Sequence, residues 1–89
     1  MPYKIVLSQR AQRDLDGLPK EEAQRIAHAL ARLEDDPRQR GVRKLKGTVA
    51  PLWRLRVGGY RALYSISDKA RLVVVLRVMR RREDTYADV

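Results

Sequence analysis

Cysteine is absent from this 89-residue sequence. Without cysteine the chain forms neither disulfides nor thiolate metal sites, and nothing in it points to an oxidising compartment. Long apolar runs are absent as well. The N-terminal residues MPYKIVLS lack the apolar stretch of a signal peptide, and no segment reaches the roughly 18 apolar residues that a membrane-spanning helix requires. We therefore expect a protein of the reducing cytoplasm with no membrane segment.

Most residue patterns that mark enzyme active sites are missing too. The sequence contains no phosphate-binding glycine loop, no G-x-S-x-G nucleophile motif, and no cluster with the spacing of metal ligands. Its one histidine, His28, lies between two alanines of a predicted helix, where a lone histidine is usually structural. We expect no metal and no cofactor. The chemistry left open by these absences is metal-free cleavage of a phosphodiester.

Positive charge is abundant and unevenly distributed. Twenty Lys and Arg oppose eleven Asp and Glu, for a net charge of +9. Before Pro37 six basic residues face seven acidic ones, whereas from Pro37 onward fourteen basic residues face only four acidic ones. Such an excess destabilises a compact chain unless a polyanion or an acidic partner relieves it, so the second half favours phosphate binding. The alternative is a surface whose charge serves solubility alone.

The length and the apolar pattern predict one α+β domain over residues 1–89, because so short a chain can bury only one core. A strand is expected over residues 3–7, then a helix capped by Ser8 that ends at Gly17. A second helix should run from Pro19 to about Asp36. The apolar residues of the helices recur at helical spacing and define their buried faces: Ala11, Leu15 and Leu18, then Ala23, Ile26, Ala27, Leu30 and Leu33.

The strongest local pattern is WRLRV, GG, YRALYSI, two alternating segments separated by two glycines, which predicts a β-hairpin. A turn at Gly58 and Gly59 sets the register, so that Arg56 pairs with Arg61. Residues 38–51 before the hairpin are predicted to form a basic loop with an edge strand around residues 42–45. After it, LVVVLRV predicts a central strand, in a register that places Arg77 beside Arg61.

Alternation along the hairpin separates its side chains onto two faces. One face is apolar and is expected to meet the helices: Trp53, Leu55, Val57, Tyr60, Ala62 and Tyr64. The other face carries Arg54, Arg56 and Arg61, which converge as a phosphate site would require. Further basic residues are candidates for RNA binding: Lys44, Lys46, Arg77, Arg80 and Arg82. The alternative is an ordinary solvated strand face. Tyr86 is either a packing anchor or a phenol that accepts a proton among arginines.

The order SQRAQRDLDGLP, LARLEDDP, RKLKG, WRLRVGGYRALYSI and VVVLRVMRRREDTY resembles the RelE/ParE toxin superfamily over nearly the whole chain. The resemblance implies two N-terminal helices packed on one face of a twisted antiparallel sheet of about four strands, with the active face opposite. It also implies a toxin of a type II toxin–antitoxin system, held inactive by a cognate acidic antitoxin in a complex that can bind operator DNA. In the RelE branch it implies a ribosome-dependent endoribonuclease that cuts messenger RNA.

The resemblance also assigns roles by position. Arg61 is expected to bind the scissile phosphate, Arg81 to stabilise the transition state or assist the leaving oxygen, and Tyr86 to orient or deprotonate the attacking 2′-hydroxyl. Arg54 and Arg56 fall where the ribonuclease branch places basic residues. Arginine cannot lose a proton at neutral pH, so neither Arg54 nor Arg56 is a general base. Many relatives have Gly-His where this chain has Met79 and Arg80, so no histidine acid or base is expected there.

Two other functions remain open at this point. A ParE-like toxin would poison DNA gyrase by binding, without cutting RNA. A decayed toxin would survive only as a co-repressor that binds DNA together with its antitoxin. The pairing of Arg81 with Tyr86 on a basic face favours the ribonuclease, since inhibition by binding requires no proton acceptor.

Overall fold

The computed structural model describes residues 2–80, which form a mixed sheet with two helices on one side. The elements follow one another as β1 (Lys4–Leu7), α1 (Gln9–Asp16), α2 (Lys20–Ala31), a 3₁₀ turn (Arg32–Glu34), β2 (Arg43–Lys44), β3 (Trp53–Val57), β4 (Tyr60–Ser67) and β5 (Leu72–Arg80). No helix among residues 2–80 is long and apolar enough to cross a membrane.

The sheet has five strands in the order β1-β5-β4-β3-β2. All neighbouring strands are antiparallel except β1 and β5, which pair in parallel. The prediction of an α+β fold with two N-terminal helices on one face is therefore confirmed. The expected number of about four strands is one too low, because the two-residue edge strand β2 completes a fifth. The helices connect β1 to the rest of the chain and permit its parallel pairing.

The helices cover the sheet face that the hairpin pattern assigned to them. The Ser8 hydroxyl caps α1 by accepting a hydrogen bond from the Ala11 amide at 3.0 Å. Ala11, Leu15, Ile26, Leu30 and Leu33 from the helical segment pack in one core with sheet residues Leu55, Val57, Ala62, Tyr64, Val73, Val75 and Val78. The expectation for Ala27 is wrong. It is exposed, because α2 turns this residue away from the sheet.

The hairpin has the predicted register at all five positions, from Val57 with Tyr60 to Trp53 with Tyr64. Its turn requires glycine at the first position, since Gly58 has a φ of +57°. A Cβ there would also approach the Arg25 guanidinium to 3.3 Å. The turn therefore fixes which hairpin side chains face the helices and which face away from them.

The predicted position of Arg77 beside Arg61 is wrong. The register of β4 and β5 shifts at Leu63 and Tyr64, so that Leu63 lies opposite Arg77 and Arg61 lies opposite Met79. Leu76 is the additional residue, and Ser8 donates its hydroxyl to the Leu76 carbonyl at 3.0 Å. This β-bulge displaces the end of β5 relative to a regular ladder and so changes which residue neighbours Arg61.

The long connection from α2 to β3 is tied to the sheet at two points. The buried Tyr64 hydroxyl donates to the Pro37 carbonyl at 2.7 Å. Arg38 forms a bidentate pair with Asp68, with both nitrogen to oxygen distances at 2.9 Å. The Arg38 guanidinium also lies 5.3 Å from the centre of the Trp53 ring. These contacts hold the loop that carries β2 against the sheet edge.

Candidate nucleic-acid interface

Four arginines share the sheet side opposite the helices, and we call them the arginine face: Arg43, Arg54, Arg56 and Arg61. The first lies on β2, the next two on β3 and the last on β4. Cross-strand partners point to the same side of a sheet, and the register pairs Arg43 with Arg54 and Arg56 with Arg61. The sequence-based grouping of Arg54, Arg56 and Arg61 is thus brought together by the fold.

Arg56 and Arg61 are directly opposed across the hairpin. Like charges in this position cost a few tenths to about 1 kcal/mol relative to neutral pairs. An anion between them converts the repulsion into charge-assisted hydrogen bonds from two planar forks, the geometry that suits a phosphate. The arrangement therefore suits an anionic ligand that contacts both side chains.

Arg61 stands next to apolar residues on its own side of the sheet. Met79, its partner on β5, is 3 % exposed, and Leu63, two residues further along β4, is 5 % exposed. Arg61 itself is half-buried, with its Nε fully buried. Charge interactions are stronger where water is partly excluded. Arg61 is therefore better placed than the exposed Arg56 to bind an anion strongly.

The two candidate lysines do not lie on the arginine face. Lys44 pairs with Trp53 and so points to the helix side, where its Nζ lies 6.0 Å from the centre of the Trp53 ring. Lys46 is exposed in the loop that follows β2. Arg43, which the sequence reasoning did not single out, occupies the face position instead. Alternation along the strand shows that Arg43 and Lys44 point to opposite sides of the sheet. Which of the two lies on the arginine face depends on the register, and the register of so short a strand was not predictable.

Arg77 is held by an acidic partner. Its Nε donates to the Asp14 carboxylate at 2.9 Å, and the same oxygen accepts the Val78 amide at 2.8 Å. The pairing of β1 with β5 ends at Val75, so within residues 2–80 the Val78 amide has no partner strand on that side. The Asp14 carboxylate accepts its hydrogen bond instead. Arg77 therefore has a structural contact with α1 and does not extend the row of Arg54, Arg56 and Arg61.

Arg80 lies at the end of β5, exposed and opposite Tyr60 in the register, which places it on the helix side. With Tyr60 and Leu18 it lines a polar cavity of about 270 Å³. Three other candidates, Arg81, Arg82 and Tyr86, lie outside the described residues. Their assigned roles stay predictions.

A second group of arginines interacts with acidic and phenolic oxygens. Asp68 accepts hydrogen bonds from Arg38 and from the Tyr3 hydroxyl, the latter at 2.5 Å, and Arg71 lies over the Tyr3 ring. The hydrogen bonds from Arg38 and Tyr3 lower the pKa of Asp68 to about 2, and the same pairing raises the pKa of Arg38. These arginines connect the loop after α2 to the turn between β4 and β5.

Tyr64 and His28 are not suited to replace Tyr86 as the proposed proton acceptor. Burial raises the pKa of Tyr64, whose hydroxyl is engaged with the Pro37 carbonyl, so it stays protonated. His28 is exposed on α2, on the opposite side of the sheet from the arginine face. Among residues 2–80 no three His, Asp or Glu side chains are grouped to hold a metal ion.

An apolar groove lies on the helix side of the molecule. It has a volume of about 220 Å³ and is lined by Ile5, Leu7, Leu15, Ala27, Leu30, Ala31 and Glu34. Ala11 and Ile26 contribute nothing to this surface, because both are fully buried. A partner that binds the helices can therefore reach the groove and the exposed residues of α1 and α2, but not Ala11 or Ile26.

Two helices on one side of a five-stranded sheet and an arginine face on the other define a small basic α+β domain of the RelE/ParE type. The profile of the ParE toxin of the type II toxin–antitoxin system parDE matches residues 5–85. The chain belongs to this toxin family, and the resemblance inferred from the sequence is confirmed. Toxin RelG of Mycobacterium tuberculosis is 36 % identical over 84 residues, covering 93 % of this chain and 95 % of the relative.

Solved structures agree with this assignment. The RelE–RelB complex of Pyrococcus horikoshii contains a chain with a TM-score of 0.80 and 31 % identity, covering 93 % of this chain and 99 % of that one. The RelBE2 toxin–antitoxin complex of M. tuberculosis gives a TM-score of 0.81 and 33 % identity, covering 90 % and 99 %. The mutant E. coli toxin RelE in the free state, 24 % identical over 98 % of this chain and 93 % of that one, shares the fold with a TM-score of 0.76.

Proposed function

We propose that this toxin is a ribosome-dependent endoribonuclease that cleaves messenger RNA on its arginine face. The observation that carries the proposal is the direct opposition of Arg56 and Arg61 on the sheet side away from the helices. An arginine guanidinium group donates two hydrogen bonds to phosphate oxygens. Guanidinium groups that are already in position need no rearrangement when negative charge develops in the transition state. The similarity to Toxin RelG and to chains of RelE complexes supports the same branch.

The proposed reaction is an in-line transesterification. The ribose 2′-oxygen attacks the scissile phosphorus, a new bond from phosphorus to that oxygen forms, and the bond to the 5′-oxygen breaks. The products are a 2′,3′-cyclic phosphate and a 5′-hydroxyl. Arg61 would hold the scissile phosphate, with Arg56 and Arg54 neutralising its charge and that of the adjoining backbone. Arg81 would stabilise the pentavalent state or the departing 5′-oxygen, which takes up a proton.

The 2′-hydroxyl must lose its proton, and arginine is a poor acceptor at neutral pH. Tyr86 is the proposed acceptor. Neighbouring guanidinium groups favour a phenolate by electrostatic attraction. Tyr86 follows Arg82 by four residues and Arg80 by six, so it has such groups near it in the sequence.

We propose an acidic antitoxin segment as the partner, covering the arginine face in the resting state. RelE and RelB form complexes in the related structures, and the excess charge of the second half of this chain calls for an acidic cover. The affinity should therefore weaken as salt increases. Titration calorimetry at two salt concentrations checks this. A complex formed only through the apolar groove, with no salt dependence, would contradict it.

The competing function is gyrase poisoning, which the match to the ParE toxin profile favours. One experiment separates the two. Purified toxin is incubated with programmed ribosomes and, in parallel, with DNA gyrase and relaxed plasmid. We expect primer extension to detect new ends in the message and supercoiling to proceed normally. Intact message together with inhibited supercoiling would replace the ribonuclease proposal with gyrase poisoning.

A further inference from the structure

Arg43 is an exposed arginine on the edge strand β2 that pairs in register with Arg54. We infer that Arg43 and Arg54 form a second phosphate-binding pair, which holds the RNA phosphate next to the scissile one. This inference rests on the proposed function, because it takes Arg56 and Arg61 as the pair that binds the scissile phosphate. It makes Arg43 a positioning residue for the RNA backbone and no part of the bond-breaking step.

The spacing of the two pairs fits a nucleic-acid strand. Arg54 and Arg56 are two residues apart on β3, so the pairs are separated by about 6.6 Å along the strand. Within each pair the two strands lie about 4.8 Å apart, close enough for two guanidinium groups to contact one phosphate. A separation of two strand residues is comparable to that between successive phosphates of an extended single strand. Because one pair spans β2 and β3 and the other spans β3 and β4, the two sites are also offset by about 4.8 Å across the sheet and lie on a diagonal.

Arg43 differs from the arginines that bind acidic or phenolic oxygens within the fold. Within residues 2–80 no hydrogen bond or ion pair involves its side chain, whereas Arg38, Arg71 and Arg77 each contact an acidic or phenolic oxygen. Arg43 and Arg54 are direct partners across β2 and β3, so a backbone anion that lies across the two strands would contact both side chains.

The loop contacts hold β2 in the required place. The Leu45 amide donates to the Leu52 carbonyl at 2.8 Å, continuing the pairing of β2 with β3. The Pro37 carbonyl and Arg38 are bonded to Tyr64 and Asp68 further along the sheet. The edge strand therefore carries the backbone of Arg43 on an anchored segment next to Arg54.

Short oligonucleotides test the inference without any cleavage. The probes are a 2′-O-methyl dinucleotide with one internal phosphate and a trinucleotide with two, because a 2′-O-methyl group prevents attack by that oxygen. Binding is measured by NMR titration at low salt for the wild type, Arg43→Gln and Lys44→Gln. Lys44→Gln is the matched control, since it removes one charge from the neighbouring residue on the opposite side of β2.

We expect the wild type to bind the trinucleotide about tenfold more tightly than the dinucleotide, the scale of an added charge-assisted contact. Arg43→Gln should remove that gain and change dinucleotide binding by no more than about twofold, whereas Lys44→Gln should retain it. Equal effects of the two substitutions, or no trinucleotide gain in the wild type, would overturn the inference. So would an unchanged gain in Arg43→Gln with weaker binding of the acidic antitoxin, which would place Arg43 in the partner interface.

The proposed function is tested separately from this pair. If wild-type toxin fails to cleave messages on ribosomes but the trinucleotide gain depends on Arg43, the ribonuclease proposal fails and the second phosphate pair stands. If the toxin cleaves messages and Arg43 has no effect on trinucleotide binding, the pair fails and the ribonuclease proposal stands.

Discussion

Two groups of arginines on this small domain differ in what they face. Arg38 and Arg77 each bind a carboxylate of the fold, and their contacts join segments that are far apart in sequence. Arg56 and Arg61 face each other, as do Arg43 and Arg54. The first arrangement joins opposite charges within the fold, whereas the second places like charges next to each other on one face of the sheet. The register and contacts of each arginine therefore distinguish those with a carboxylate partner in the fold from those that we propose to bind RNA.

The largest expected effect comes from substituting one arginine of each group by alanine and comparing the two variants. Arg61→Ala should reduce cleavage on programmed ribosomes by about 10³-fold or more, the scale of an arginine that stabilises a transferring phosphoryl group. Arg77→Ala should leave cleavage within a few-fold and reduce the free energy of unfolding by about 1 to 3 kcal/mol, because Asp14 loses a charged donor. Single-turnover kinetics and thermal melts check both.

The comparison fails if the two variants behave alike. Arg61 neighbours the buried residues Met79 and Leu63, so a loss of cleavage must be shown to occur in folded protein. Arg61→Lys is the matched variant for this purpose. It keeps the charge and the aliphatic stem but not the planar fork, and we expect it to fold normally and to cleave poorly.

Tyr86→Phe is expected to have the next largest effect. It removes only the hydroxyl and keeps the ring, so cleavage should fall by roughly 10² to 10⁴, the range for losing a general acid or base. Ribosome binding should be nearly unchanged, which a pelleting assay measures. Near-normal cleavage would mean that another group, such as Glu83, Asp84, a water or the ribosome, accepts the proton.

Leu55→Ala tests the helix side of the sheet. Leu55 is 5 % exposed in the shared core, and truncating a buried leucine costs about 2 to 5 kcal/mol. We expect a large drop in melting temperature, with cleavage lost only to the extent that the protein unfolds. An equal drop for Arg61→Ala in the same thermal melts would contradict the assignment of the two faces.

Asp68→Asn should give the smallest effect, and one that depends on pH. Folding lowers the pKa of Asp68 from its ordinary 3.8 to about 2, so its pairing stabilises the protein above about pH 4 and is lost as pH falls through 2. The melting temperature of the variant should be lower than that of the wild type near neutral pH, with the gap closing in acid. The effect is small because this pair is exposed. Asp35→Asn is the control, and an equal gap at every pH would contradict the account.

Much of the fold followed from local sequence patterns. The glycine pair fixed the hairpin register, and the helical spacing of apolar residues located most of the core. The bulge at Leu76 was not predictable, because it depends on hydrogen bonds from Ser8, far away in sequence. Since a shift of one residue moves a side chain to a new neighbour, the position of Arg77 was missed with it.

The candidate site was predictable only where a strong turn set the register. Arg54, Arg56 and Arg61 were identified from the hairpin, whereas Lys44 was chosen in place of Arg43 on the short edge strand. The anchors of that strand join Arg38 to Asp68 across 30 residues, and composition or periodicity carries no signal for such a contact. Basic charge alone therefore predicted a phosphate-binding region but could not predict which residues share its face of the sheet.

The central claim is that the arginine face cuts RNA through the 2′-hydroxyl. The most direct measurement is the chemistry of the new 3′ end after purified toxin acts on a programmed ribosome. We predict a 2′,3′-cyclic phosphate in the wild-type reaction, and no cleavage when a 2′-deoxy nucleotide stands at the cut. A message that stays intact, or one that is cut equally well at the 2′-deoxy position, would contradict the account.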